Sequence, residues 1–312
     1  MMTVKEINYS VYGRCVCATY EGIELIATLE VGPRIVSLKN KTSDNIFFND
    51  VNDVCAGKEY ADKTISAYGE EKGIWHIYGG HRLWASPETA PRTPYPDNEP
   101  IRYSVGENSI RFIQPVQKWT NIGLEIEIVF EGENTIGVYH RLTNLGAWEV
   151  EFAPWGLSVL DGGGTEIFPL PNNDTGFLAN TWISLWSYCR MNDKRVKWGD
   201  KYITVTQDSE CANPFKMGMR SYHGWSAYIK NNTLFVKYFN PYYDNGVFPD
   251  GGMNFETYTN NYFVEMESLG ELKKVKPGET VEHKETWEIF DNVSMDDFSE
   301  ESIDRLVEKY II

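Results

Sequence analysis

The chain keeps breaking into short runs that suit a pleated sheet and cannot sustain a helix. The segments GIELIATLE, RIVSLKN, SIRFIQPV, LEIEIVFEG, TIGVYHRLTN, KYITVTQD, GWSAYIK and TLFVKYFN alternate or cluster β-branched and aromatic residues. Gly, Asn, Asp and Pro bound them. Branched and aromatic side chains fit a half-buried strand surface, and the turn residues end each run early. No long helical periodicity lies between the runs. The pattern predicts an all-β chain, with two stacked antiparallel sheets as the way to bury so many half-apolar strands.

The tail is the exception. Ile303, Leu306, Val307 and Tyr310 recur at helical spacing, Ser299 stands where an N-cap belongs, and Asp296, Asp297, Glu300 and Glu301 sit at the positive end. A short C-terminal helix over about 299–311 is expected. No internal repeat, low-complexity linker or composition break divides the chain, so residues 1–312 are expected to form a single β-sandwich domain. The stretch 51–100 is the least strand-like, rich in Gly, Pro, Asp and Glu. A long connection of that kind inside a compact domain is usually functional or mobile.

Charge narrows the partners. With 29 Lys plus Arg against 45 Asp plus Glu, the net charge of -16 repels phosphate backbones and anionic lipid, which argues against nucleic acid and membrane. The opening MMTVKEINYSVYGRC lacks the basic-then-apolar pattern of a secretory signal, and no apolar run is long enough to span a bilayer, so a cytoplasmic location is expected. The five cysteines are an odd count, and Cys15 and Cys17 have no second pair with which to complete a zinc site. No HExxH or EF-hand spacing occurs and the histidines are isolated, so no metal is expected, although acidic loops can assemble a calcium site from distant positions. Aromatics make up 14% of the chain, which suits a β-rich core or a sugar-stacking surface.

Three clusters hold the residues that can carry chemistry. In YGGHRLWASPE (Tyr78–Glu88), Gly79 and Gly80 allow tight turning and Pro87 stiffens the exit, which predicts a shaped loop presenting His81, Arg82 and Trp84. The bland alternative is a corner in which Trp84 plugs the core and Arg82 meets a carboxylate. In EFAPWGLSVLDGGG (Glu151–Gly164), Trp155 interrupts an apolar strand and can stack on a ring or fill the core. The third cluster, Asn240–Gly270, supplies Asp244, Asp250, Asn254, Glu256, Glu265 and Glu267 among aromatics. Glu265 and Glu267 are two apart, so they leave a strand on one face, opposite Val264 and Met266. Facing outward they are merely solvated; facing a cleft, one can serve as a general base.

The order of these features resembles the galactose mutarotase-like, or aldose 1-epimerase-like, superfamily. The resemblance rests on LEVGPRIVSLKN, a central strand pair, a late carboxylate strand and KPGE before the final strand. More narrowly, YGGHRLWASPE, GVFPDGGMNFETYTN and MESLGELKKVKPGE look like an uncharacterised branch of it, over about 22–290. The resemblance implies an antiparallel β-supersandwich and cofactor-free general acid-base chemistry, in which a histidine protonates the sugar ring oxygen and a late glutamate takes the anomeric proton. Carried onto this chain, the base falls on Glu267 or its neighbour Glu265, with Glu267 preferred. The family's histidine segment aligns near EFAPWGLSVL, where this chain has Trp155, so His81 becomes the expected acid and His140 in VYHRLTN the runner-up. Arg82 would hold a substrate hydroxyl or carboxylate, with Trp84, Trp155, Asp250, Asn254, Glu256 and Glu265 as further sugar-binding candidates.

The expectation is therefore a protein that binds a small-molecule sugar or sugar derivative and is equipped for epimerisation at the anomeric carbon. Two rivals stand beside it: a sugar-binding protein without turnover, and a glycoside hydrolase or lyase using paired carboxylates such as Glu256 and Glu267.

Overall fold

The computed structural model describes residues 1–55, 75–90 and 92–311. Among them the chain builds two antiparallel sheets. The first runs, edge to edge, Thr3–Asn8, Arg14–Tyr20, Ile23–Thr28, Ile35–Asn40, Gly80–Ser86, Val150–Asp161, Phe263–Leu269, Phe255–Thr259, Phe215–Met219 and Ile183–Leu185, with Lys273–Val275 added beside Val150–Asp161. The second runs Val196–Trp198, Tyr202–Thr206, Thr165–Pro169, Trp225–Lys230, Thr233–Tyr238, Thr280–Phe290, Thr135–Asn144, Ile122–Phe130, Ser109–Ile113 and Arg102–Val105.

The alternation that marked the strands also orients them. In Ile122–Phe130, Ile122, Leu124, Ile126, Ile128 and Phe130 are buried, while Glu125 and Glu127 face outward to Arg111 and Arg141. Each such apolar side chain stabilises the sandwich by about 1.5–3 kcal/mol when fully removed from water. Between the sheets Phe47, Phe235 and Trp287 pack edge to face. The C-terminal helix occupies Glu300–Tyr310, with Ser299 accepting from the Ser302 amide. Its Ile303, Leu306 and Val307 lie against Trp225, Ala227 and Val236 of the second sheet.

The stretch YGGHRLWASPE departs from expectation. It is not a presenting loop: Gly80–Ser86 is a strand, buried along its whole length and paired with Val150–Asp161 over seven positions. A strand covered on both faces needs no apolar-polar alternation, so its sequence carries no period of two to set it apart from a loop. The glycines serve the entry instead. Gly79 and Gly80 have φ of +95° and +67°, and a Cβ on either would come within about 2 Å of a backbone carbonyl oxygen. Of the stretch 51–100, residues 56–74 and 91 lie outside the described residues.

Candidate functional site

Antiparallel register places directly opposed residues on the same face of a sheet. Starting from Arg82, the opposed positions run Leu157, Glu267, Glu256, Gly218 and Ser184, a single row across six strands. The flanking rows on that face hold Trp84 beside Trp155, and Val159, Glu265, Tyr258 and Lys216. His81 has the other parity. It opposes Ser158, which opposes Met266, and these point between the sheets.

A cleft of about 540 Å³ opens over the Arg82 face, within the range of small-ligand sites. Trp75, Trp84, Trp155 and Trp186 wall it, and Arg82, Lys216, Glu88 and Glu265 supply its charge. A more open depression of about 590 Å³ lies beside Asp161, Lys194 and Gln207. Among the described residues its one aromatic side chain is Tyr262, against four tryptophans over Arg82, so the cleft over Arg82 is the better equipped site.

Within the cleft, Arg82 donates from Nη2 to Glu265 Oε1 at 2.9 Å and lies 4.2 Å above the Trp84 ring. Its Nε and Nη1 have no hydrogen-bond partner among the described residues, nor do the indole nitrogens of Trp75 and Trp84. The Lys216 ammonium is set between the rings of Trp155 and Trp186, at 4.7 and 4.8 Å. It also contacts Glu256 at 2.8 Å and Glu267 at 2.9 Å. Trp155 Nε1 donates to the same Glu267 oxygen at 2.9 Å. Gly218 leaves the space for this arrangement, since a Cβ there would meet Met253 at 2.8 Å and Glu256 at 3.3 Å.

Both carboxyls under Lys216 are fully buried. Burial pushes Glu256 well above the ordinary carboxylate range and also raises Glu267, while Lys216 opposes both shifts. Burial acts against the Lys216 charge, but Glu256 and Glu267 outweigh it and hold the ammonium above its usual value. One ammonium balances one carboxylate. We assign the retained proton to Glu256 and the charge to Glu267, whose Oε2 takes two donors.

The remaining candidates lie elsewhere. His81 is fully buried and its Nδ1 meets Ser158 Oγ at 2.9 Å, while its Nε2 meets His140 Nε2 at 2.7 Å. It cannot reach a ligand in the cleft, because strand alternation turns it to the sheet's inner face. His140 is interior for the same reason, its Nδ1 donating to the His283 carbonyl at 3.0 Å. Asn254 accepts from the Ser221 amide at 2.8 Å and donates to the Ser221 and Asn240 carbonyls, so its amide clamps two loops. Asp250 sits at φ +52° in the single turn Pro249–Gly252, and its carbonyl accepts from Ser184 Oγ. The structure thus brings Arg82, Trp84, Trp155 and Glu265 to the cleft wall and Glu256 and Glu267 beneath it. It leaves His81, His140, Asp250 and Asn254 outside. Lys216, Trp75 and Trp186 were missed; a lysine inside the apolar run FKMGM was the one available signal.

Below the floor, His81, His140 and Glu285 bring ligand-type atoms within 4.8 Å of one another. Hydrogen bonds account for them. Since His140 Nδ1 donates to a carbonyl, its Nε2 must accept from His81 Nε2, and His81 Nδ1 accepts from Ser158. Glu285 takes Trp287 Nε1 at 2.6 Å, Ser268 Oγ at 2.5 Å and Lys237 Nζ at 3.1 Å. A divalent ion there would stand beside the Lys237 ammonium, so this donor set suits proton sharing better than ligation. Burial lowers both His81 and His140, which keeps the imidazoles neutral. Lys237 also donates to the Met266 carbonyl at 3.0 Å, fixing the strand that carries Glu265 and Glu267.

No protein-family model matches the sequence, and no curated protein matches it. Solved structures do match in three dimensions. A candidate aldose 1-epimerase from Klebsiella pneumoniae subsp. pneumoniae superposes with a TM-score of 0.61 at 12% identity, over 99% of this chain and 86% of that one. A galactose mutarotase-like protein from Clostridium acetobutylicum gives 0.53 at 9% identity, over 93% and 99%. A TPR-domain containing protein from Parabacteroides distasonis gives 0.58 at 12% identity over 92% of this chain but 48% of that one, so the chain spans about half that protein's length. No helix among the described residues is long and apolar enough to cross a membrane. At these identities the likeness concerns architecture, and it agrees with the two sheets and terminal helix described above: the chain has the galactose mutarotase-like fold.

Proposed function

We propose that the protein binds a sugar or sugar derivative in the tryptophan-walled cleft and exchanges its anomers there. The observation that carries the reading is the convergence of four tryptophans with Arg82, Lys216 and Glu265 on one cleft. Sugar C–H faces stack on indole, while hydroxyls need fixed donors and acceptors between the rings. The fold shared with a candidate aldose 1-epimerase supports the same class of ligand.

Anomeric exchange needs a base at the anomeric hydroxyl and a donor at the ring oxygen. Glu265 is the cleft-wall carboxylate held beside Arg82, and we assign it the base, in place of its neighbour Glu267. Lys216, kept protonated by the carboxyls beneath it, is the cationic donor to the ring oxygen as its bond to the anomeric carbon breaks. Glu267 then holds Lys216 in place and does not touch the sugar. A glycosidase reading of Glu256 and Glu267 fits poorly, since both lie buried on one ammonium with no room for a ring between them.

The reading is tested by titrating a panel of free and acidic aldoses against tryptophan fluorescence, followed by anomer-resolved exchange NMR on those that bind. Quenching by at least one sugar with exchange above the buffer rate is expected. Quenching without exchange leaves a binding protein, and no response to any sugar removes the reading.

A further inference from the structure

We propose that the sugar taken by this cleft carries a carboxylate group, and that Arg82 is the residue that recognises it. The inference rests on the reading of the cleft as a sugar site and adds the substrate's chemical class. Its basis is the imbalance of hydrogen-bonding groups on the cleft wall. Among the described residues, Arg82 Nε, Arg82 Nη1, Trp75 Nε1 and Trp84 Nε1 lack partners, and all four are donors. Unpaired buried donors are costly, and the cost is greatest for a charged group. A ligand that brings only acceptors to this wall relieves that cost best.

Geometry favours a flat monoanion. Arg82 is 2% exposed, held on one side by Glu265 and stacked 4.2 Å over Trp84, so its plane is fixed before any ligand arrives. A planar carboxylate meets fixed guanidinium N–H groups in charge-assisted hydrogen bonds, which are shorter and stronger than neutral ones. A phosphate dianion suits the site less well, because both cations on the wall already have carboxylate neighbours: Glu265 for Arg82, and Glu256 and Glu267 for Lys216. A lysine at position 82 would keep the charge but lose the planar donor set.

Isothermal titration calorimetry tests this with galacturonate and glucuronate against galactose, glucose and their 6-phosphates. Wild type is expected to bind a uronate about tenfold or more tighter than the matching neutral hexose. Arg82→Lys should remove most of that preference, and Trp84→Phe, which keeps the ring and loses the N–H, should reduce it severalfold. Equal binding of uronate and neutral hexose, or tightest binding of a 6-phosphate, overturns the carboxylate inference and leaves the sugar site standing. If wild type binds none of the three classes, the sugar site itself is overturned. An undiminished uronate preference in folded Arg82→Lys overturns the role of Arg82. If that variant does not fold, Arg82→Gln, which keeps a planar donor and loses the charge, decides, and an undiminished preference there overturns it.

Discussion

Glu265 and Glu267 leave the same strand on the same face, yet they meet different cations at different depths. Glu265 stands on the cleft wall and accepts from Arg82 at 2.9 Å, while Glu267 lies fully buried and accepts from Lys216 at 2.9 Å. A spacing of two ensures the shared face and says nothing about depth. Depth is set by what crosses above: Trp155, whose indole nitrogen ties to Glu267, roofs one carboxylate and leaves the other open. The two substitutions should therefore part company.

Glu265→Gln is expected to lower anomeric exchange by about a hundredfold or more, the usual contribution of a general base. Leaving Arg82 without its carboxylate should also cost about 3 kcal/mol of stability. Exchange NMR and urea unfolding measure the two effects separately. An unchanged exchange rate would return the base to Glu267.

Glu256→Gln and Glu267→Gln should differ in stability although both carboxyls touch Lys216. If Glu256 keeps its proton, replacing it with a neutral amide changes the charge balance little, and a loss of about 1 kcal/mol or less is expected. Glu267→Gln removes the counter-charge of a buried ammonium and should cost about 3–5 kcal/mol. Reversed unfolding midpoints would show that the proton sits on Glu267.

His81→Asn should destabilise the fold by about 1–3 kcal/mol, since it breaks the contact with His140 inside the sandwich. Sugar affinity of the folded variant should stay within about twofold of wild type, because the side chain is on the far side of the sheet from the cleft. Loss of exchange with stability intact would instead make His81 part of the chemistry.

Glu166 provides a pH test of the polar layer between the sheets. It is fully buried, Ser226 Oγ and Thr257 Oγ1 lie at 2.9 and 2.5 Å, and burial pushes its carboxyl up to about 8. The folded value lies above the unfolded one, so its contribution is fully present below about pH 4.5 and is lost as pH rises to about 8. Glu166→Gln removes that loss. Its stability relative to wild type should climb between those limits, by at most about 1.4 kcal/mol per pH unit, and flatten above them. Urea unfolding at a series of pH values gives the curve; a flat difference would mean that Glu166 is ionised in the fold.

Much of this architecture was legible in the chain itself. Alternation such as Ile122, Leu124, Ile126 and Ile128 carries its own instruction, because a period of two buries one face whatever the neighbours are. The tail helix was equally local, with its cap at Ser299 and its apolar stripe at Ile303, Leu306 and Val307. Arg82, Trp84 and Trp155 could be picked out as residues that need an explanation, and the shared face of Glu265 and Glu267 followed from their spacing.

What tertiary structure alone decided is which face each residue joins and how deep it lies. Gly80–Ser86 has no polar side to mark its outward positions, so adjacent His81 and Arg82 looked like one cluster and were sent to opposite sides by register with Val150–Asp161. Lys216 is far from the other site residues in sequence. Only the pairing of Phe215–Met219 with Phe255–Thr259, and of that strand with Phe263–Leu269, sets its ammonium on Glu256 and Glu267. Strand periodicity is a property of neighbours along the chain, whereas the order and register of strands depend on burial shared across the whole sheet.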